Sequence, residues 1–194
     1  MKKTHTYKNY DQYINFQKLK TTDPKRQEKW KTTEWRLKID IFKKQFERNI
    51  NIINNCKNAI CLGSRTGQEV VALQELGIND TKGIDLVEFE PYTQKGDIHN
   101  IDFPNNHFDL AFTNIFDHSI YPEKFASEIE RILKPNGYLI IHFQIDIHQD
   151  KYTEVIIDDF NEVKKLFKNS EIVNEQKIDT GIIAMNYELI IKKK

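Results

Sequence analysis

Between Asn58 and Asp85 the chain reads N-A-I-C-L-G-S-R-T-G-Q-E-V-V-A-L-Q-E-L-G-I-N-D-T-K-G-I-D, an order of residue types suited to gripping a nucleoside. An apolar run, Ala59 to Leu62, breaks into a tight turn with glycines at 63 and 67, continues as an apolar-periodic helix, and returns as a second apolar run ending on Asp85. Small residues let backbone approach a ligand closely, and the start of a helix offers free N–H groups to an anion. An acid at the tip of the second strand, 22 positions after Gly63, is placed to accept both hydroxyl protons of a ribose. The unit therefore points to an adenosine-containing cofactor. A dinucleotide fingerprint would want glycine at 63, 65 and 68, where Arg65 and Gln68 intervene, and the Gly-Lys of a phosphate-cradling loop is absent.

A second stretch able to do chemistry is N-I-F-D-H-S-I-Y-P, beginning at Asn114. Asp117 and His118 are its titratable pair, placed just beyond a strand to take a proton from an acceptor hydroxyl or amine. The competing reading is structural: Asp117 or Ser119 caps the next helix, and the histidine packs. Cys56 and Cys61 are five apart with one inside a buried strand, so both are expected to pack, with no disulfide framework and no metal.

The elements that must hold these groups follow from periodicity. Tyr7, Tyr10, Tyr13, Phe16 and Leu19 recur at three-residue steps among lysines, suiting a short helix or ordered arm. Trp35, Ile39, Phe42, Phe46, Ile50 and Ile53 predict one helix of about five turns from Thr33 to near Asn54. After Gly67, Val70, Leu73 and Leu76 share a helix face that stops at Gly77. Strands are expected at Lys82 to Leu86, around Gln94 to Gly96, at Phe108 to Thr113 and at Tyr138 to Phe143. The Val87 to Gln94 stretch holds Pro91 and is too short for a crossover helix, so an irregular loop must serve. Phe125, Ile129, Ile132 and Leu133 form a helix stopped by Lys134-Pro135-Asn136-Gly137, and Asp159 to Phe167 form another. Glu171 to Ile178 and Ile182 to Ile191, around Asp179-Thr180-Gly181, suit a hairpin. The sum is an α/β chain: a Rossmann-like, open, mostly parallel sheet with helices on both faces and a C-terminal antiparallel hairpin, preceded by an N-terminal helical arm. The expected division is a basic arm or lid over residues 1–56 and a cofactor-binding domain over 57–194.

Composition narrows the class. With 30% charged and 39% hydrophobic residues, no run near the roughly 20 apolar residues of a membrane span, and no apolar signal core after Met1, the chain is expected to be cytoplasmic. The net charge of zero conceals an asymmetry: residues 1 to 50 carry 14 Lys and Arg against 6 Asp and Glu, and the remainder 15 against 23. The basic segment either docks on the acidic body or seeks an acidic partner, nucleic acid included.

Five places in order, I-C-L-G-S-R-T-G, G-I-D-L, K-G-D-I, F-D-L-A-F-T-N and E-I-E-R-I-L-K-P-N-G-Y-L-I-I, resemble a class I S-adenosylmethionine-dependent methyltransferase of the small type 11 sort, over roughly residues 57 to 194. The resemblance implies S-adenosyl-L-methionine as cofactor. It sets the turn Gly63, Ser64, Arg65, Thr66 and Gly67 against the methionine part, Asp85 with Leu86 at the ribose, Asp97 on the adenine amino group, Ile98 on the adenine face, and Asn114 beside the sulfonium. Such enzymes usually carry an acid where Cys61 stands and glycine where Arg65 stands. Arg65 must then project away or bring its guanidinium to the cofactor carboxylate, and Glu69 is a substitute acid unless it is an exposed helix residue. The implied activity is methyl transfer to an oxygen or nitrogen of an unknown acceptor: small molecule, protein or RNA. The alternatives are an inactive binding module of this fold and a basic-armed RNA-binding protein.

Overall fold

The computed structural model describes residues 1–145 and 150–194. In chain order the elements are β1 (Lys2–Lys3), α1 (Tyr10–Thr22), α2 (Pro24–Lys31), α3 (Trp35–Glu47), α4 (Ile50–Ile53), β2 (Asn58–Leu62), α5 (Gln68–Glu75), β3 (Asp80–Asp85) and β4 (Thr93–Lys95). They continue as β5 (Phe108–Thr113), α6 (Pro122–Ile132), β6 (Leu133–Phe143), β7 (Val155–Ile156), α7 (Phe160–Lys164), β8 (Ser170–Lys177) and β9 (Tyr187–Lys193). Seven strands form one sheet in the order β4-β3-β2-β5-β6-β9-β8. The pairs among β4, β3, β2, β5 and β6 are parallel, and β9 runs antiparallel to β6 and β8. This is the expected Rossmann-like α/β architecture with its terminal hairpin.

The buried strands read as near-continuous apolar runs because both faces are covered. Alternation along each strand sends Ile60, Leu62, Ala111, Leu139 and Ile141 to one core, with α6 and α7. Ala59, Cys61, Leu110, Phe112 and Ile140 go to the other, with α3 and α5. Strand order reverses at β2, where β3 lies on one side and β5 on the other, so a crevice opens beyond their carboxyl ends. Among the described residues, no helix is long and apolar enough to cross a membrane.

Several expectations are corrected. The helix from Thr33 divides into α3 and α4, because Arg48 and Asn49 are drawn to Glu188 (Nη2 to Oε2 and Nδ2 to Oε1, both 3.2 Å) and Asn49 leaves the helical region. Leu133 belongs to β6, having extended φ and ψ at the end of α6. The last strand starts at Tyr187, since Thr180 Oγ1 accepts from Met185 N at 2.6 Å and holds Gly181–Ile183 in a single turn of 3-10 helix. Asp159 accepts from Asn161 N and caps α7, which ends at Lys164. On α1, Tyr13 is buried but Leu19 is 56% exposed. A three-residue step drifts around a helix of 3.6 residues per turn, and nine residues after Tyr10 the side chain points the opposite way.

Among the described residues, four of the fourteen lysines and arginines of the first fifty residues form ion pairs with the body. Arg36 and Lys43 meet Glu75, Arg48 meets Glu188, and Lys20 meets Asp150. These pairs match the reading in which the basic segment docks on an acidic body.

Candidate functional site

The turn after β2 is shaped by what surrounds it. Gly63 and Ser64 donate their N–H groups to Ile84 O at 2.8 and 3.0 Å, which brings the turn against the end of β3. Gly63 has φ +79°, and a Cβ there would lie 2.3 Å from Ile115 Cγ1, so only glycine fits. Arg65 occupies the left-handed region, with φ +46°, at a cost of about 1 kcal/mol for a non-glycine residue. Its guanidinium stands over the Trp30 ring, 5.2 Å from the centroid.

A cleft at the carboxyl ends of the parallel strands is lined by Gly63, Arg65, Asp85, Leu86, Asp97, Ile98 and His118. Seven of the twelve residues expected at the site thus converge on one cavity. Ser64 turns away and hydrogen bonds Thr93 Oγ1 at 2.9 Å, and Thr66 faces a neighbouring cavity. Gly67, Asn114 and Asp117 do not line the cleft. Asp85 accepts from the N–H groups of Arg65 (3.0 Å) and Val87 (3.2 Å), one on each oxygen. Burial nevertheless pushes its carboxyl above the ordinary value, the amides and Arg65 acting in the other direction. Asn114 is 2% exposed, and among the described residues neither its amide nitrogen nor its oxygen has a hydrogen-bond partner. A buried unsatisfied pair of this kind costs about 1 to 3 kcal/mol per group.

One wall of the cleft comes from α1, through Tyr13, Gln17, Lys20 and Thr21. Tyr10 OH lies 2.8 and 2.9 Å from the two Asp97 oxygens and 2.7 Å from His99 Nδ1, and His99 Nε2 lies 2.7 Å from Ser119 Oγ. Burial raises the Asp97 carboxyl, but the hydrogen bonds of His99 and Tyr10 win and leave it below its ordinary value. Tyr13 donates to His118 O at 3.0 Å. These contacts latch α1 across the cleft. The tyrosine spacing was the available signal for it, but nothing in the pattern said which element the tyrosines would meet.

His118 sits in a single turn of 3-10 helix with its Nδ1 2.7 Å from Tyr152 O, which makes Nδ1 the protonated nitrogen. Its Nε2 lies 3.3 Å from Lys20 Nζ and 4.0 Å from Asp117 Oδ2. Burial lowers the imidazole below its ordinary value and favours the neutral form a base requires. Burial likewise lowers the Lys20 ammonium, with Arg65 adding to the effect.

Glu69 is buried, 4% exposed, in the first turn of α5, where an exposed helix glutamate was the simpler expectation. The reason is that α3 packs over α5 and encloses this turn with Phe42 and Lys38. Burial pushes its carboxyl up to about 7.

Residues 60–141 match the family model described as a methyltransferase domain. The match spans 82 of the 194 residues, from β2 into β6, and it is over that span that the chain is similar to a methyltransferase domain. Its fold is similar to the 1,6-didemethyltoxoflavin-N1-methyltransferase of Burkholderia thailandensis, solved with bound 1,6-didemethyltoxoflavin and S-adenosylhomocysteine, at 11% identity and TM-score 0.73 over 100% of this chain and 93% of that one. A SAM-dependent methyltransferase from Archaeoglobus fulgidus aligns at 17% identity and TM-score 0.63 over 88% of this chain and 100% of the other. One from Aquifex aeolicus aligns at 17% and 0.61 over 94% and 98%. At such identities the likeness is one of fold. No curated protein matches the chain.

Proposed function

We propose that the protein methylates an oxygen or nitrogen of a small acceptor enclosed between α1 and the parallel sheet, with residues 1–56 serving as the lid of a methyltransferase body formed by 57–194. The carrying observation is the single cleft that gathers Gly63, Asp85, Leu86, Asp97 and Ile98 with His118. The residues present fit S-adenosylmethionine as the cofactor: Asp85 keeps lone pairs free for ribose hydroxyls, and Gly63 leaves no Cβ in the way.

When bound, the cofactor supplies an electrophilic methyl group on sulfur, so the protein's task is alignment, exclusion of water and handling of one proton. Asp85 and Leu86 hold the sugar, Ile98 covers the base, and Asp97 shares its carboxylate between Tyr10 and the adenine amino group. His118 Nε2 takes the acceptor proton, and the fixed Nδ1–H contact with Tyr152 O holds the ring in the tautomer that allows it. Asp117 supports the imidazolium once it forms. The wall formed by α1 favours a small molecule over a polymer as acceptor, and a cytoplasmic setting accords with that use.

A second reading, cofactor binding without chemistry, is favoured by Lys20 Nζ, which sits on the nitrogen the base would use. Two measurements separate the readings. Calorimetry with S-adenosylhomocysteine should give binding, weakened by about 1 to 3 kcal/mol in Asp85→Ala, the range for hydrogen bonds involving a charged group. Incubation with isotopically labelled cofactor and the small-molecule fraction of a lysate should give a labelled product, formed about 100-fold or more slowly by His118→Ala with cofactor affinity retained. An isotherm unchanged by Asp85→Ala removes that residue from the site, and binding without product in any fraction supports the inactive module.

A further inference from the structure

We infer that the methyl acceptor is a small anion, and that Lys20, Arg26 and Lys151, gathered around the Tyr152 ring beside His118, form the subsite that receives its carboxylate or phosphate group. The inference rests on the methyl-transfer reading above and names the class of acceptor which that reading leaves open.

The three cations come from separate parts of the chain, Lys20 from α1, Arg26 from α2 and Lys151 from the segment before β7, and converge on one aromatic ring. Lys20 Nζ stands 5.7 Å, the Arg26 guanidinium 5.8 Å and Lys151 Nζ 5.1 Å from the Tyr152 centroid. The negative face of the ring attracts each of them and so gathers like charges that otherwise repel. The acids nearby are already engaged. Asp150 Oδ2 pairs with Lys20 Nζ at 2.6 Å, and Asp23 Oδ1 accepts from the N–H groups of Lys25 and Arg26 at 2.9 and 3.1 Å as the cap of α2. Among the described residues, Arg26 and Lys151 have no ion pair within 4.0 Å. Positive charge left in excess at the side of a cleft draws an anion to it.

The subsite adjoins the chemistry. Lys20 lines the cleft with His118, and its Nζ lies 3.3 Å from His118 Nε2. Tyr152 O accepts from Gln17 Nε2 at 2.8 Å and from His118 Nδ1 at 2.7 Å, so one residue fixes α1, the cations and the base relative to each other. An acceptor whose nucleophilic atom reaches Nε2 therefore carries its acid group to Lys20 within a few bonds. Burial and Arg65 lower the Lys20 ammonium, and an arriving anion favours its charged form. The anion also competes with Nε2 for a Lys20 N–H, which opens Nε2 to the acceptor's proton. The contact that occupies the base is thereby relieved by the substrate itself. The cations cluster on one ring rather than along a track, which fits a single anionic group and not the successive phosphates of a nucleic acid.

The test separates the small-molecule fraction of a lysate on an anion exchanger at mildly alkaline pH and incubates each pool with the full chain and isotopically labelled cofactor. Labelled product should form from the retained pool. Prior phosphatase treatment should abolish it where the group is a phosphate, and carbodiimide amidation where it is a carboxylate; either result supports the subsite, and label indifferent to both overturns it. With the retained pool, Arg26→Gln and Lys151→Gln should each raise apparent KM about threefold to tenfold while kcat stays within about twofold, and Arg26→Lys should restore most of the loss. Unchanged affinity for S-adenosylhomocysteine shows that the variants are folded. Added salt should raise KM more steeply in wild type than in the double variant. Label from the unretained pool alone, or a KM untouched by both variants, overturns the anion subsite while methyl transfer stands. Label found instead in a nuclease-sensitive polymer of the whole lysate assigns the cations to nucleic acid, which overturns the small acceptor. No label from any pool sinks methyl transfer itself, and the inference with it.

Discussion

Two buried glutamates, Glu188 and Glu69, show how partners decide what a carboxylate does. Glu188, on β9, is fully buried, yet it receives Arg48 (3.2 Å), Asn49 (3.2 Å), Gln176 (2.7 Å) and His142 Nε2 (2.9 Å). Burial alone would raise its carboxyl, but the His142, Gln176 and Asn49 contacts outweigh that and bring it down to about 2. Glu69 is almost as deeply buried and among the described residues lacks such partners, and its carboxyl rises to about 7. The first is a structural clasp that ties the end of α3 to the terminal hairpin. The second keeps its charge in reserve beside a cavity, which is the condition expected of a group that meets a ligand.

The comparison is broken most forcefully at the clasp. Glu188→Ala should cost about 3 kcal/mol in urea or thermal unfolding, because the buried Asn49 amide and His142 imidazole lose their acceptor, while the partly exposed Arg48 keeps Gln45. Its pH signature has a definite sign. A carboxyl held at about 2 against an ordinary 4.5 contributes stability that is present above 4.5 and lost as pH falls toward 2. The wild type should therefore lose its advantage over Glu188→Gln between those limits.

Glu69 should behave in the opposite sense. With its carboxyl raised from 4.5 to about 7, the folded chain holds a proton that the unfolded chain gives up, so stability falls as pH climbs through that window. Glu69→Gln should be more stable than wild type by about 1 to 3 kcal/mol at pH 8, and the gap should close below pH 4.5. A gap that stays constant with pH would mean that Glu69 finds partners in solution and that the contrast with Glu188 is false. The smallest expected effect belongs to the latch: Tyr10→Phe removes one hydroxyl from Asp97 and His99 and should lower stability by about 1 kcal/mol. The same change should speed cofactor association in stopped-flow measurements, because α1 then withdraws more readily from the cleft.

Much of the frame could be read before any coordinates. The glycine turn, Asp85 and the strand at Phe108–Thr113 stand where the spacing put them, since strand length, turn chemistry and the return to an acid are local properties. The missing crossover helix between β3 and β4 was also legible, because so few residues containing a proline cannot form one. The contribution of α1 was not. A tyrosine can lie on a helix face without indicating whether it will find Asp97 or solvent, and those residues are 87 apart in the chain. Neither was the division at Asn49, which depends on Glu188 arriving from 139 residues away.

The order of residues alone determined that a parallel α/β sheet would present a small-residue turn and an aspartate at the same edge, because both follow from short-range steric and hydrogen-bonding rules. Only the packing of α3 over α5 and of α1 over the strand ends decided that Glu69 would be enclosed with no ion-pair contact among the described residues, that Asn114 would lie buried, and that Lys20 would approach His118. These are matters of dielectric surroundings and of distance between groups remote in the chain, and neither exists until the layers close.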